Sequence, residues 1–414
     1  MIKHDRTSGG KKIEVLKDRY QSRFMSPRTS AHRIVRKRFV PFNYLSARYD
    51  GFTVTEPSFG SDLTHAHNRI PLGTGRLIVS FESHLPRQFG LAPDGALVEL
   101  MMKRLRSRTC RRIIGMSHFA KRLFLDQHQD LDPEMFEILS SKLMVRHPNV
   151  DVRDTPDPYD LDSDDGPLRL VFVGGHFARK GGCVAVRVAE LARERGLPVH
   201  VTIISSMVMG EAVWTDPIDP DVLAPYATGL DAPNVTHLEG QPNQVVRQIM
   251  GQSHFSLLPT FADTFGFSAI ESMAEYTPVI ATKTGALPEF ITDTANGIML
   301  DIETTDAGEW AGLNFSARGT KAYADRFVST IDDLAEQTLR RIEPYLDNRQ
   351  ALVPLRAAAR QTAETMFDAR QASANWDTIY DRVIAEDMSQ QAQLDPLIDV
   401  SSPDGWPGPA SHKT

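Results

Sequence analysis

Cysteine is scarce: Cys110 and Cys183 are the two in 414 residues, too few for a disulfide framework and without zinc-site spacing. Two reduced thiols in a cytoplasmic protein are the expectation. Long apolar runs are absent as well. No segment approaches the roughly 20 apolar residues a spanning helix needs, and the N-terminus lacks the apolar core of a secretory leader. Asp-x-Asp triplets fall at Asp130/Asp132, Asp160/Asp162, Asp162/Asp164 and Asp219/Asp221. None directly follows an apolar strand, so they read as turn and linker acids, and no metal site is expected. No nucleic-acid module or aromatic–basic interleaving accompanies the basic clusters, so nucleic acid is not an expected partner.

What is present fits a soluble globular chain of two domains: 41% hydrophobic and 24% charged residues, with a net charge of −7. The charge is unevenly spread. Residues 1–150 hold 26 Lys and Arg against 14 Asp and Glu, and the remainder holds 20 against 39. Ile13, Leu16, Tyr20 and Phe24 recur at helical spacing among Lys11, Lys12, Lys17, Arg19 and Arg23, which predicts a basic amphipathic helix over 11–25, ended by Pro27. A second basic cluster runs from Lys103 to Arg112. Both fit an ordinary solvated surface, or a peripheral contact with anionic lipid or an acidic acceptor.

From residue 76 the chain reads as strand–loop–helix units. Leu77–Phe81 and Arg112–Met116 are short strands, and Ser117 is placed to cap the helix that follows. Residues 153–167 are acidic and rich in turn formers, a linker composition that separates a domain over 1–152 from one over 168–365. Strands are predicted at Leu168–Val173, Val199–Ile204, His254–Leu258 and Pro278–Ala281, with helices between them and mostly helix over 320–386. This alternation predicts a parallel sheet covered on both faces. The proline-dotted tail, 388–414, reads as disordered.

Two loops are candidates for the chemistry, although the first taken alone also fits a plain strand-to-helix turn and Glu271 by itself an ordinary surface glutamate. Strand 168–173 runs into Gly174-Gly175, then Arg179 and Lys180, then a helix. Glycines let a phosphate approach the backbone, and lysine supplies a point charge. After the strand ending at Leu258, a loop holds Asp263, and the Phe265-Gly266 turn opens a helix through Ala274. The first amides of that helix, near Phe267 and Ser268, are placed to meet a phosphate. Asp263 precedes the helix within reach of sugar hydroxyls, and Glu271 inside it is suited to both hydroxyls of a ribose.

These residues resemble the retaining glycosyltransferases of family 4, whose fold is GT-B: two Rossmann-like α/β domains facing a cleft. The likeness rests on the acids Asp263 and Glu271 eight apart around Phe265-Gly266, on Pro278-Val-Ile-Ala281, on Gly285-Ala-Leu-Pro-Glu289 and on Asn296-Gly297. Pro148-Asn149-Val150-Asp151 is similar to the interdomain segment, and 366–387 to a closing helix that crosses back to the N-terminal domain. The resemblance implies transfer of a hexose from a nucleotide-sugar, UDP- or GDP-linked, to a glycan, lipid-linked or small-molecule acceptor, without a cofactor or an essential metal. It gives Asp263, Lys180, Glu82 and His84 to catalysis, and Gly174, Gly175, Arg179, Lys180, Phe265, Gly266, Phe267, Ser268 and Glu271 to the donor. The first acid is aspartate here where glutamate is usual. Gly175 replaces a phosphate-binding arginine, and Glu82 replaces a histidine, with His84 two residues on. The opening strand and its Gly-Gly loop have no clear counterpart in the sequence pattern, which implies a shortened or rebuilt N-terminal domain. An alternative follows: a GT-B relic that binds nucleotide-sugar or a partner without transfer.

Overall fold

Runs of β-branched and aliphatic residues too short for helices alternate with amphipathic stretches, and the chain builds two parallel sheets from them. The computed structural model describes residues 10–16, 21–42, 52–55, 60–72, 75–87, 95–154 and 166–386. The chain divides into two units. One takes Met1–Asn149 together with Met366–Thr414, and the other takes Val150–Thr365.

In the first unit β1 (Lys12–Leu16), α1 (Gln21–Phe24), β2 (Arg33–Lys37), β3 (Val40–Pro41), β4 (Phe52–Val54), β5 (Leu63–His67), β6 (Ile70–Leu72) and β7 (Leu77–Phe81) follow in order. Then come α2 (Ala96–Arg106), β8 (Cys110–Gly115), α3 (His118–His128), α4 (Pro133–Ser140) and β9 (Leu143–Val145). Six strands form one sheet in the order β2-β1-β5-β7-β8-β9, every pair parallel. β3, β4 and β6 make a small separate sheet. All five residues of β7 are buried, as expected of a strand covered on both faces. Ser117 does cap α3, its hydroxyl accepting from the Ala120 amide at 2.9 Å.

The helix expected over 11–25 does not form in its first part; residues 17–20 lie outside the described residues, and Gln21–Phe24 is a short helix. Lys12–Leu16 is an inner strand, paired with β2 on one side and β5 on the other. Its apolar positions fit a 3.6-residue period, but Ile13 and Val15 are β-branched, and two parallel partners bury Ile13, Val15 and Leu16. Glu14, also buried, is held by Lys12 at 3.2 Å and Lys37 at 3.1 Å. An opening strand that the sequence pattern lacked is therefore present, and among the described residues the first unit's main sheet has as many strands as the second unit's.

The second unit contains β10 (Leu168–Val173), α5 (Gly182–Glu194), β11 (Val199–Ile204), α6 (Pro220–Thr228), β12 (Val235–Leu238), α7 (Asn243–Gly251), β13 (Phe255–Leu258), α8 (Phe267–Met273), β14 (Val279–Thr282) and β15 (Gly297–Leu300). The helices α9 (Lys321–Ile342), α10 (Pro344–Asp347) and α11 (Leu352–Thr362) follow. Its sheet is parallel throughout, in the order β12-β11-β10-β13-β14-β15. The core on the α9 side includes Phe261, stacked on Phe327 at 4.2 Å between ring centroids, with Trp310 edge-on. Two of the Asp-x-Asp triplets supply helix caps: Asp132 receives the Glu134 amide and Asp219 the Asp221 amide. Residues 160–164, which hold two others, lie outside the described residues.

The last helix among the described residues, α12 (Ala369–Ala385), belongs to the first unit. Tyr380 hydroxyl and His65 Nδ1 lie 2.9 Å apart, the Trp376 ring packs 4.7 Å from His65, and Glu386 accepts from Arg111 Nε at 2.9 Å. The tail expected to be disordered, from 388 onward, lies outside the described residues, as does most of the expected linker.

Candidate functional site

Two glycines bring the second unit's loops together. Gly181, at φ 92°, caps α5 where an added Cβ would run into Pro259. Gly266, at φ 89°, starts α8 where a Cβ would sit 2.6 Å from Leu287 Cδ2. Both positions need the left-handed backbone and the missing side chain. The 178–182 loop then docks on 259–262: Phe261 N–H donates to Arg179 O at 2.9 Å, Thr260 Oγ1 to the same oxygen at 3.0 Å, and Arg179 Nη1 to Ala262 O.

Lys180 crosses Gly174 so closely that a Cβ there would lie 2.8 Å from its Cδ. Its Nζ reaches Asp263 Oδ2 at 2.7 Å, with the side chains 19% and 8% exposed. The other oxygen of Asp263 accepts from the amides of Gly266 at 3.2 Å and Phe265 at 3.4 Å. Burial pushes the Asp263 carboxyl up, but the charges of Lys180 and Arg179 and these hydrogen bonds outweigh it and hold it below the usual carboxylate range. Asp263 is therefore an anion at neutral pH, an acceptor and not an acid.

His176 follows Gly175 and takes Arg179 Nε on its Nδ1 at 3.2 Å. Burial, then the charges of Arg179 and Lys180, lower its pKa against the pull of Asp263. The ring is neutral at pH 7, and with Nδ1 accepting, its proton sits on Nε2. On α8, Glu271 is 7% exposed and its Oε1 accepts from Asn243 Nδ2 at 2.9 Å. Asn243 opens α7, and nothing in the sequence marks it, because the two residues are 28 positions apart on different helices. Ser268 lies on the same helix, one turn before Glu271.

Phe265 differs from expectation. Its ring is wholly buried and stacks on Phe290 at 5.3 Å, so it braces the turn from the core and only its backbone remains for a ligand. Glu82 and His84 belong to the first unit. Glu82 is ion-paired with Arg87, and its amide donates to Asn68 Oδ1 at 3.0 Å. The pKa of His84 is lowered by burial and by Arg87.

Sequence reading also passed over the 205–218 loop. Val208 N–H donates to Gly175 O at 3.1 Å and its carbonyl accepts from Phe177 N–H at 2.8 Å, which ties this loop to the glycine turn. Buried Asp216 accepts from Gly210 N–H at 3.0 Å and Thr215 Oγ1 at 2.9 Å, and Arg318 donates to the carbonyls of Asp216, Gly210 and Glu211. Burial pushes the Asp216 carboxyl up to about 6 despite those bonds and the charges of Arg179 and Arg318. Among the described residues no group of three or more His, Cys, Asp and Glu is placed to hold a metal ion, and no helix is long and apolar enough to cross a membrane.

Comparison with known proteins places this architecture. Residues 167–312 match the family described as glycosyl transferases group 1. The chain is 30% identical over 155 residues to the D-inositol 3-phosphate glycosyltransferase of Rhodococcus erythropolis, covering 37% of this chain and 34% of that protein. It is 28% identical over 236 residues to that of Mycolicibacterium vanbaalenii, covering 54% and 49%. The aligned parts thus span a third to a half of these relatives. Among solved structures, Anabaena HepE in complex with UDP superposes with a TM-score of 0.54 at 14% identity, over 90% of this chain and 100% of that one. Sucrose-phosphate synthase from Thermosynechococcus elongatus gives 0.51 at 15% identity, over 86% and 84%. Residues 167–312 are accordingly a segment of the glycosyl transferases group 1 type, and the two parallel-sheet α/β units have the GT-B fold.

Proposed function

We propose that the chain is a retaining hexosyltransferase that takes a nucleotide-sugar donor in its second unit and transfers the sugar without a metal ion. The observation that carries this reading is the ion pair of Lys180 and Asp263, set over Gly174 at the end of β10 beside the neutral His176. As the glycosidic bond breaks, negative charge gathers on the departing diphosphate. Lys180 and Arg179 supply fixed positive charge for it, His176 a neutral Nε2–H donor, and the α8 amides near Phe267 and Ser268 two more. Asp263 stays ionised and accepts hydrogen bonds from sugar hydroxyls, which orients the anomeric carbon. Glu271, steadied by Asn243, accepts from the ribose hydroxyls. The acceptor hydroxyl attacks from the face the diphosphate leaves and gives its proton to that diphosphate, so no protein nucleophile is needed and the anomeric configuration is kept.

The first test is thermal unfolding of the purified chain against UDP-, GDP-, ADP- and dTDP-sugars. HepE was crystallised with UDP and glucose, so UDP-glucose heads the panel. A donor at about 100 times its dissociation constant adds roughly 2.7 kcal/mol. The expected result is a shift with one base only, lost in Glu271→Ala. No shift with any donor would overturn the reading. The engagement of Glu82 by Arg87, at a position where the resembled family has histidine, favours a second reading in which donor binds without transfer. A donor-induced shift with no release of nucleoside diphosphate across an acceptor panel would select it.

A further inference from the structure

In the first unit, Arg146 follows β9 directly, one step beyond the registered row Phe81–Gly115–Val145. The ladder continues through it: Met116 N–H donates to Phe81 O at 3.0 Å and Arg146 N–H to Gly115 O at 2.9 Å. Arg146 therefore stands at the carboxyl edge of a parallel α/β sheet, the edge at which such sheets bind ligands. It is 6% exposed, and its Nε has no hydrogen-bond partner among the described residues. Burial acts on the guanidinium, pushing its pKa down to about 10, and no carboxylate among the described residues offsets it.

Arg112 and Arg247 also leave Nε without a partner, but their terminal nitrogens are paired. Other buried arginines are engaged too: Arg356 donates to Ser253 O at 3.2 Å and Arg69 lies 4.9 Å over the Phe39 ring. Arg111 and Arg112 share Glu386, Arg247 takes Glu275, Arg360 takes Glu364, and Arg318 donates to three backbone carbonyls. A guanidinium removed from water without an anion carries a large desolvation penalty, and its planar fork is shaped for the two oxygens of a phosphate or carboxylate. The excess of basic over acidic residues in the first 150 positions favours the more highly charged of those anions. We propose that Arg146 anchors an oxyanion subsite in the first unit and that its ligand is a phosphate group carried by the second substrate. Assignment of that phosphate to an acceptor rests on the transferase reading, whereas phosphate binding at Arg146 does not.

The test is thermal unfolding of the full chain with and without inorganic phosphate at matched ionic strength, for wild type, Arg146→Met and Lys180→Ala. Phosphate is expected to raise the wild-type midpoint by about 2–4 °C. The rise should persist in Lys180→Ala and vanish in Arg146→Met. Without phosphate, Arg146→Met should melt no lower than wild type, because methionine fills the space without an unpaired charge. A phosphate shift retained in Arg146→Met, or lost in Lys180→Ala, overturns the proposal, as does a lower phosphate-free midpoint in Arg146→Met. If that variant does not fold, Arg146→Lys keeps a point charge without the fork, and an undiminished shift there overturns it equally. Nucleotide-sugar shifts should be unchanged in Arg146→Met, which separates this outcome from any failure of the donor site.

Discussion

Lys180 and Asp263 show how one residue's chemistry depends on another's charge. A carboxyl whose folded pKa is depressed contributes stability above its unfolded value, and that stability is lost as pH falls through the folded one. Wild type should therefore keep the Asp263 contribution down to pH values below about 4. Lys180→Met leaves the buried carboxylate without its main partner. Denaturant unfolding at a series of pH values should show a loss of about 2 kcal/mol at pH 7, with the acid decline displaced upward. Nucleotide-sugar affinity should fall in the same variant, and an unaltered pH profile would contradict the pairing. Asp263→Asn keeps shape and removes charge, so turnover is expected to drop about 10–100-fold with donor affinity nearly intact, read as kcat against Kd. Glu271→Gln should weaken donor binding about tenfold, measured by calorimetry.

At the scale of elements, helices α5 and α8 were legible beforehand, because Gly174-Gly175 and the Phe265-Gly266 turn punctuate the passage from strand to helix. The loop between β11 and α6 was not. Its anchor, Arg318, lies about a hundred residues away and marks itself by no local pattern. Asp216 in that loop gives a prediction of opposite sign to Asp263. Its folded pKa, about 6, lies above the unfolded value, so the folded state holds the extra proton and stability falls as pH rises through the window from 4 to 6. Asp216→Asn should remove that decline and raise stability at pH 7 by about 2 kcal/mol. A decline that survives the substitution would show that another group carries it.

Across the whole molecule, the two units differ in what they need from the chain's end. The second unit, residues 150–365, holds its complete six-stranded sheet and a continuous aromatic and aliphatic core. Expressed alone, it is expected to unfold cooperatively. The first unit depends on α12, whose Trp376 and Tyr380 are fully buried and pack against His65. A chain ending at residue 365 should leave that face uncovered, and the first unit should become protease-sensitive while the second stays resistant. Equal resistance in both would show that α12 is dispensable.

The sequence by itself determined the alternation of strands and helices, the charge division near residue 150 and the loops that carry Lys180, Asp263 and Glu271, because periodicity and glycine punctuation are local properties. Tertiary structure decided the rest. Lys12–Leu16 fits a helix and a strand alike until β2 and β5 pair with it on both sides. Lys180 meets Asp263 from 83 residues away, and Asn243 reaches Glu271 from another helix. Whether a buried charge is neutralised, as at Asp263, or left waiting, as proposed for Arg146, depends on which side chains the fold delivers beside it, and no local pattern encodes that.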